Sequence, residues 1–258
     1  MRNRLKARLA AGERLCGAWA QLGSPDAAEA LVRAGWDVIV VDCEHGCAGV
    51  ESAAGMIRAV EAAGGEAILR VPFGDDATLK RALDRGAKSI MAPMVNDAAI
   101  AASVAAACRY PPLGRRGFAR AVRAAGYGTD VGYQKAAADE LLLMVQIEHV
   151  TAVAEFDAIM ATPGVDMGFV GPNDLAGSMG RLNELDCAEM NAAHAEIEAK
   201  AAASGALIGT ITLPGRGFRE LFELGYRLVI GPCDTALVVA GASAALAAKD
   251  AALEGFAP

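Results

Sequence analysis

Two acidic residues stand just past short apolar runs. Glu148 closes Leu142-Leu143-Met144-Val145-Gln146-Ile147, and Asp174 follows Met167-Gly168-Phe169-Val170 across Gly171-Pro172-Asn173. Only one helical stretch, 151–161, separates the two runs, so they are expected to be parallel neighbours whose carboxylates converge at the mouth of an α/β barrel. Two protein carboxylates with open positions suit a hard divalent cation such as Mg²⁺ or Mn²⁺. A 2-oxo acid such as pyruvate would complete the shell with its carboxylate and keto oxygens, and the cation would steady the enolate formed at C3.

Other polar residues are expected on the same rim. Asp42, Glu44 and His45 follow the second apolar run, Arg70 ends the third, Gln146 shares its run with Glu148, and Asn173 precedes Asp174. Asp42 and Glu44 share a face if their strand continues that far. Arg70 would set a positive charge against the enolate oxygen, and His45 is the natural proton carrier. A Schiff-base mechanism needs a lysine in the mouth. Lys88 precedes the fourth run, at the closed end, and Lys6, Lys80, Lys135, Lys200 and Lys249 fall on helices or a long loop. The competing structural reading is that Glu148 and Asp174 only cap the helices after them.

The cluster Cys43-Glu44-His45-Gly46-Cys47 has no second Cys or His pair to complete a zinc tetrahedron. Pro214-Gly215-Arg216-Gly217 reads as a phosphate cradle or a helix start, and His194 as a solvent-facing or packing residue.

The elements that must position these groups follow one pattern. Strand-like runs fall at 15–22, 38–42, 67–71, 89–94, 141–148, 166–171, 206–211 and 227–230. Helical stretches lie at 25–34, 49–63, 76–85, 97–108, 151–161, 187–203, 214–224 and 236–252, with a short leading helix at 6–11. Eight strand-helix turns predict a (β/α)8 TIM barrel, an α/β fold. An open doubly wound sheet is the runner-up, without its Gly-x-Gly-x-x-Gly fingerprint. The segment 110–140, with four arginines and many glycines, reads as a surface excursion or a loop that contacts substrate or a neighbour.

Composition bounds the rest. The 258 residues are 54% hydrophobic, the size of a single barrel domain spanning 1–258. A net charge of -7 without a basic stripe argues against nucleic acid as a partner and for a small molecule. No continuous apolar run approaches the roughly 18 residues of a membrane span. Scattered cysteines without framework spacing predict free thiols in a reducing cytoplasm.

Five motifs, in order along the chain, carry a resemblance: Val41-Asp42-Cys43-Glu44-His45-Gly46, Leu69-Arg70-Val71-Pro72, Tyr110-Pro111-Pro112-Leu113-Gly114-Arg115-Arg116-Gly117, Gln146-Ile147-Glu148 and Gly171-Pro172-Asn173-Asp174-Leu175. Together they resemble the HpcH/HpaI aldolase family, on a barrel of the phosphoenolpyruvate/pyruvate superfamily. The resemblance implies a class II pyruvate aldolase, an aldehyde-lyase of aromatic-compound catabolism. Such an enzyme cleaves 4-hydroxy-2-oxo acids, such as 4-hydroxy-2-oxoheptanedioate, to pyruvate and an aldehyde with Mg²⁺, Mn²⁺ or Co²⁺. It implies His45 as acid/base, Arg70 as enolate stabiliser, Glu148 and Asp174 as metal ligands, and Gln146 with the backbone at Asn173 as pyruvate holders. Asp84 would raise the basicity of the histidine, and Asp42 joins the catalytic set. Asp84 ends its helix at the barrel bottom, so it would reach a His45 only across a subunit interface. The family's likeness to hexamers with exchanged C-terminal helices gives the stretch 236–252 that role. His149, Asn173, Cys43 and Cys47 depart from the family pattern. The competing functions are a citrate-lyase-β-like or malyl-CoA-type lyase, and a catalytically silent metabolite-binding barrel.

Overall fold

Short β-branched runs alternating with Ala-rich helical stretches fold into eight parallel strands, paired in chain order and closed by β1 against β8. The computed structural model describes residues 2–254 and Phe256; of the expected span 1–258, Met1, Gly255, Ala257 and Pro258 lie outside the described residues. The strands are β1 (Leu15–Ala20), β2 (Val38–Asp42), β3 (Glu66–Arg70), β4 (Ser89–Ala92), β5 (Leu142–Ile147), β6 (Met167–Val170), β7 (Ile208–Ile211) and β8 (Leu228–Cys233). The helices before β5 are α1 (Arg4–Ala10), α2 (Pro25–Arg33), α3 (Val50–Ala63), α4 (Asp76–Asp84), α5 (Ala98–Ala107) and α6 (Tyr133–Glu140). After β5 come α7 (Val150–Ala154), α8 (Phe156–Met160), α9 (Pro172–Ser178), α10 (Ala188–Ser204), α11 (Phe218–Glu223) and α12 (Asp234–Leu253). Closure excludes the open doubly wound sheet.

Strand side chains alternate between two faces, and each face has its own core. Val38, Val40, Ile68, Met144, Phe169 and Ile230 fill the barrel interior, while Ile39, Val41, Leu69, Leu143 and Val145 pack outward under the helices. Leu5 and Leu9, one turn apart on α1, join the interior cluster and plug its lower end. Asn3 caps that helix and donates to Lys88 O and Ser89 Oγ at the start of β4. Helix α1 is therefore part of the barrel floor. Parity also dictates what faces the upper end: Asp42 is in phase with Val40, Arg70 with Ile68, and Gln146 and Glu148 with Met144.

Several expected elements differ in detail. The stretch 151–161 breaks at Glu155 into α7 and α8. Residues 214–224 helix only as α11, because Leu213 and Arg216 pair across a turn with Gly215 at φ +74°. The excursion 110–140 contains a 3-10 turn and α6, and folds on a cluster of Ala125, Tyr133 and Ala137. His194 is buried, with Nδ1 3.3 Å from Tyr226 Oη, so its solvent-facing reading is corrected to packing. Burial lowers its pKa to about 4.

The helix α12 corrects a further expectation. It is long and apolar enough to cross a membrane by length and composition, and its most apolar stretch has a mean hydropathy of 1.5. Alanines and valines raise that average without forming a strongly apolar run. Among its described side chains only Asp234 is buried, and Leu237, Val238, Val239 and Leu246 stand exposed.

Candidate active site

Asp42 and Arg70 are register partners at the ends of β2 and β3, and parity turns both inward. Arg70 Nε lies 2.9 Å from Asp42 Oδ1 and Nη2 lies 2.7 Å from Oδ2. Asp42 is 0% and Arg70 8% exposed. The same carboxylate accepts from Gln21 Nε2 at 3.0 Å and from the backbone amides of Glu44 and His45 at 3.0 and 3.2 Å. Burial pushes the Asp42 carboxyl up, but Arg70 and these donors outweigh it and hold the group below its ordinary range. The acceptors of Asp42 are occupied, it does not border the cavity, and it braces Arg70 and the His45 turn.

Arg70 is held from two further directions. Its Nη1 lies 3.1 Å from Glu44 Oε2, and its guanidinium carbon sits 4.5 Å from the Trp19 ring centroid, a cation–π contact. Strand β2 stops at Asp42, yet Glu44 still turns toward Arg70. The turn doubles back so closely that a Cβ on Gly46 would press on Asp42 O and Gln21 Cα. The His45 side chain is 61% exposed, with Nε2 4.0 Å from Glu44 Oε2.

Across the mouth, Glu148 follows β5. It is 2% exposed, accepts from Met94 N at 2.7 Å on Oε1, and from Gln146 Nε2 at 2.5 Å on Oε2. Met94 reaches it from a left-handed backbone, φ +54°, a strained geometry for a side-chain-bearing residue. Gly171 leaves room: a Cβ there would meet Glu148 Oε2 at 2.5 Å. Asp174 stands in the first turn of α9, behind Pro172. Burial pushes the Glu148 carboxyl up to about 7; the Met94 amide opposes this, and the charges of Glu44 and Asp174 reinforce it. Glu44 is likewise raised, chiefly by burial.

These groups line one cavity of about 490 Å³ at the C-terminal ends of the strands. His45, Arg70, Gln146, Glu148, Asn173 and Asp174 all border it, with Trp19, Gln21, Phe169 and Thr212 among the others. No lysine does. The donor set fits a hard divalent cation: all-oxygen, buried on the Glu148 side, mutually repulsive, and flanked by a buried Gln146 Oε1 without a partner. Among the described residues, no three His, Cys, Asp or Glu side chains form a group placed to hold a metal.

Other expectations settle elsewhere. Asp84 ends α4 at the barrel's lower end, away from its own chain's His45, and pairs with Arg116 at 2.7 Å. His149 caps α7 by accepting from Thr151 N and does not border the cavity. Arg216, within the supposed phosphate cradle, is engaged by Glu198 at 2.9 Å. Within one chain the excursion 110–140 contributes nothing to the cavity. Trp19 and Gln21 were missed, although both end a strand in the inward phase; nothing in the sequence marks Met94.

A carboxyl whose folded pKa exceeds its unfolded value destabilises the fold as pH rises between the two, here from about 4.5 to about 7. For Glu148 the full loss, reached above that window, is on the order of 3 kcal/mol. In chelator, Glu148→Gln is expected to melt higher than wild type at pH 8, with the difference vanishing toward pH 4.5. An equal difference at both pH values would contradict the assignment.

Comparison with known proteins bears on this geometry. A family profile described as HpcH/HpaI aldolase/citrate lyase matches residues 15–240. The chain is 38% identical over 233 residues to a hydroxypyruvate/pyruvate aldolase of Paraburkholderia phytofirmans, covering 88% of this chain and 90% of that one. It is 37% identical over 228 residues to a protein of the same name from Agrobacterium fabrum, covering 88% and 86%. A crystal structure of an HpcH/HpaI aldolase/citrate lyase family protein from Burkholderia cenocepacia superposes with a TM-score of 0.91 at 36% identity, covering 96% of this chain and 99% of that one. A profile that runs from β1 into α12, and relatives alike over most of their length, show that the chain belongs to the HpcH/HpaI aldolase/citrate lyase family and is a carbon–carbon lyase.

Proposed function

We propose that the chain is a metal-dependent class II aldolase that uses pyruvate or hydroxypyruvate as nucleophile and cleaves 4-hydroxy-2-oxo acids reversibly. The observation that carries this reading is the convergence of Arg70, Glu148, Asp174 and His45 on one lysine-free cavity. The names of the relatives, hydroxypyruvate/pyruvate aldolase, support the nucleophile.

In the cleavage direction, His45 takes the proton from the C4 hydroxyl. The C3–C4 bond then breaks, its electron pair moves toward the C2 oxygen as the aldehyde leaves, and the Arg70 guanidinium faces the growing negative charge. Protonation at C3 gives pyruvate. Gln146 and the backbone at Asn173 orient the 2-oxo acid. Glu148 and Asp174 would hold a divalent cation (Mg²⁺, Mn²⁺ or Co²⁺) that supplies Lewis-acid polarisation of the 2-oxo group when bound.

The reading includes a homo-oligomer, a hexamer by family likeness, with α12 exchanged between barrels in the cytoplasm. Its support is physical: an exposed apolar helix rooted at Asp234, a His45 side chain open to a neighbour, and an Asp84 out of reach within its own subunit. The six free thiols suit a reducing compartment.

Chelation should abolish pyruvate release from 4-hydroxy-2-oxoheptanedioate, and Arg70→Lys should lower kcat by about 10²–10³-fold. Mn²⁺ should raise the melting midpoint of wild type but not of Asp174→Asn. Full activity after metal removal, or an unchanged rate in Glu148→Ala, would sink the reading, and turnover of an acyl-CoA substrate alone would favour the malyl-CoA-type lyase. Light scattering should also give a mass several times the 26.4 kDa of one chain; a monomer would overturn the exchange.

A further inference from the structure

We infer that Gln21 is a positioning residue for Arg70, tying the carboxylate that holds the guanidinium to the root of α12. The inference rests on the aldolase reading above and adds a residue to it. Gln21 follows β1 and is bonded on every side. Its N–H and that of Leu22 donate to the two oxygens of Asp234, the first residue of α12, at 2.9 and 3.1 Å. Its carbonyl accepts from Cys47 N at 2.8 Å, closing the turn that carries His45. Its Nε2 donates to Asp42 Oδ2 at 3.0 Å, the same oxygen that receives Arg70 Nη2 at 2.7 Å. Its Oε1 lies 3.3 Å from Thr235 Oγ1, whose proton is shared with Cys233 Sγ at 3.0 Å.

The consequence is geometric. Asp42 fixes two nitrogens of Arg70 through two oxygens, and among the described residues Gln21 is the only side chain other than Arg70 that pins one of those oxygens. Gln21 borders the cavity, but its amide reaches Asp42 and Thr235, so it acts through Arg70. A guanidinium that stabilises developing charge is sensitive to displacement, and about 1 Å of misplacement can cost about 10²-fold. Loss of such a group's aim lowers kcat more than it raises KM.

The test uses the full chain with saturating Mn²⁺ and pyruvate release from racemic 4-hydroxy-2-oxoheptanedioate. Gln21→Leu, of similar volume, is expected to lower kcat about tenfold with KM within about threefold. Thr235→Val should lower kcat about two- to threefold, Thr235→Ser should restore it, and the double variant Gln21→Leu/Thr235→Val should be no slower than Gln21→Leu alone, because both act on one path. A merely structural Gln21 would shift the melting midpoint and leave kcat intact, which overturns the inference, as does additivity in the double variant. If Gln21→Leu fails to fold, an unchanged kcat in Thr235→Val overturns it. A wild type that releases no pyruvate overturns the aldolase reading and the inference together, whereas an active wild type with a fully active Gln21→Leu overturns the inference alone.

Discussion

The buried ion pair between Asp42 and Arg70 organises the mouth of the barrel. Removing two charges from water costs several kcal/mol per ion, and only dense, well-aimed hydrogen bonding offsets that. Here the offset is visible: two bonds from Arg70, one from Gln21 and two backbone amides converge on Asp42, while Trp19 and Glu44 flank the guanidinium. Because the amides of Glu44 and His45 fold onto the same carboxylate, one interaction sets both the direction of Arg70 and the course of the His45 turn. Removing Arg70 would leave the buried Asp42 charge without its counter-ion, typically at a cost of about 3–5 kcal/mol.

The remaining carboxylates around the mouth are unbalanced. Glu44, Glu148 and Asp174 repel one another around a guanidinium already committed to Asp42. Glu148 is kept in place by the Met94 amide, from a backbone geometry that costs on the order of 1–3 kcal/mol. A fold that spends strain to hold a destabilised carboxylate at a cavity wall has a site short of positive charge. Under the proposed function, a divalent cation would supply what is missing.

The barrel was legible because its signals are local and repeated: apolar runs of strand length, helices between them, and left-handed Gly64 and Gly205 closing α3 and α10. Arg70, Gln146 and Glu148 were legible for the same reason, since parity along one strand fixes the face of its last residue. The supporting role of Asp42 was not. An acid at a strand end looks the same whether it meets substrate or an arginine, and only the register of β2 on β3 decides. Met94, Gln21 and the burial of His194 depend on partners distant in sequence, Glu148, Asp42 with Asp234, and Tyr226. The apolar reach of α12 was hidden by its alanines.

The central claim is that this cavity generates a pyruvate enolate with Arg70 and a cation facing its oxygen. Proton exchange at the pyruvate methyl in ²H₂O, followed by NMR without any aldehyde, tests that step alone. Deuterium incorporation is expected with Mg²⁺, Mn²⁺ or Co²⁺, stopped by chelator and slowed by Arg70→Lys. Absence of exchange with all three cations, or exchange that persists undiminished in chelator, would contradict it.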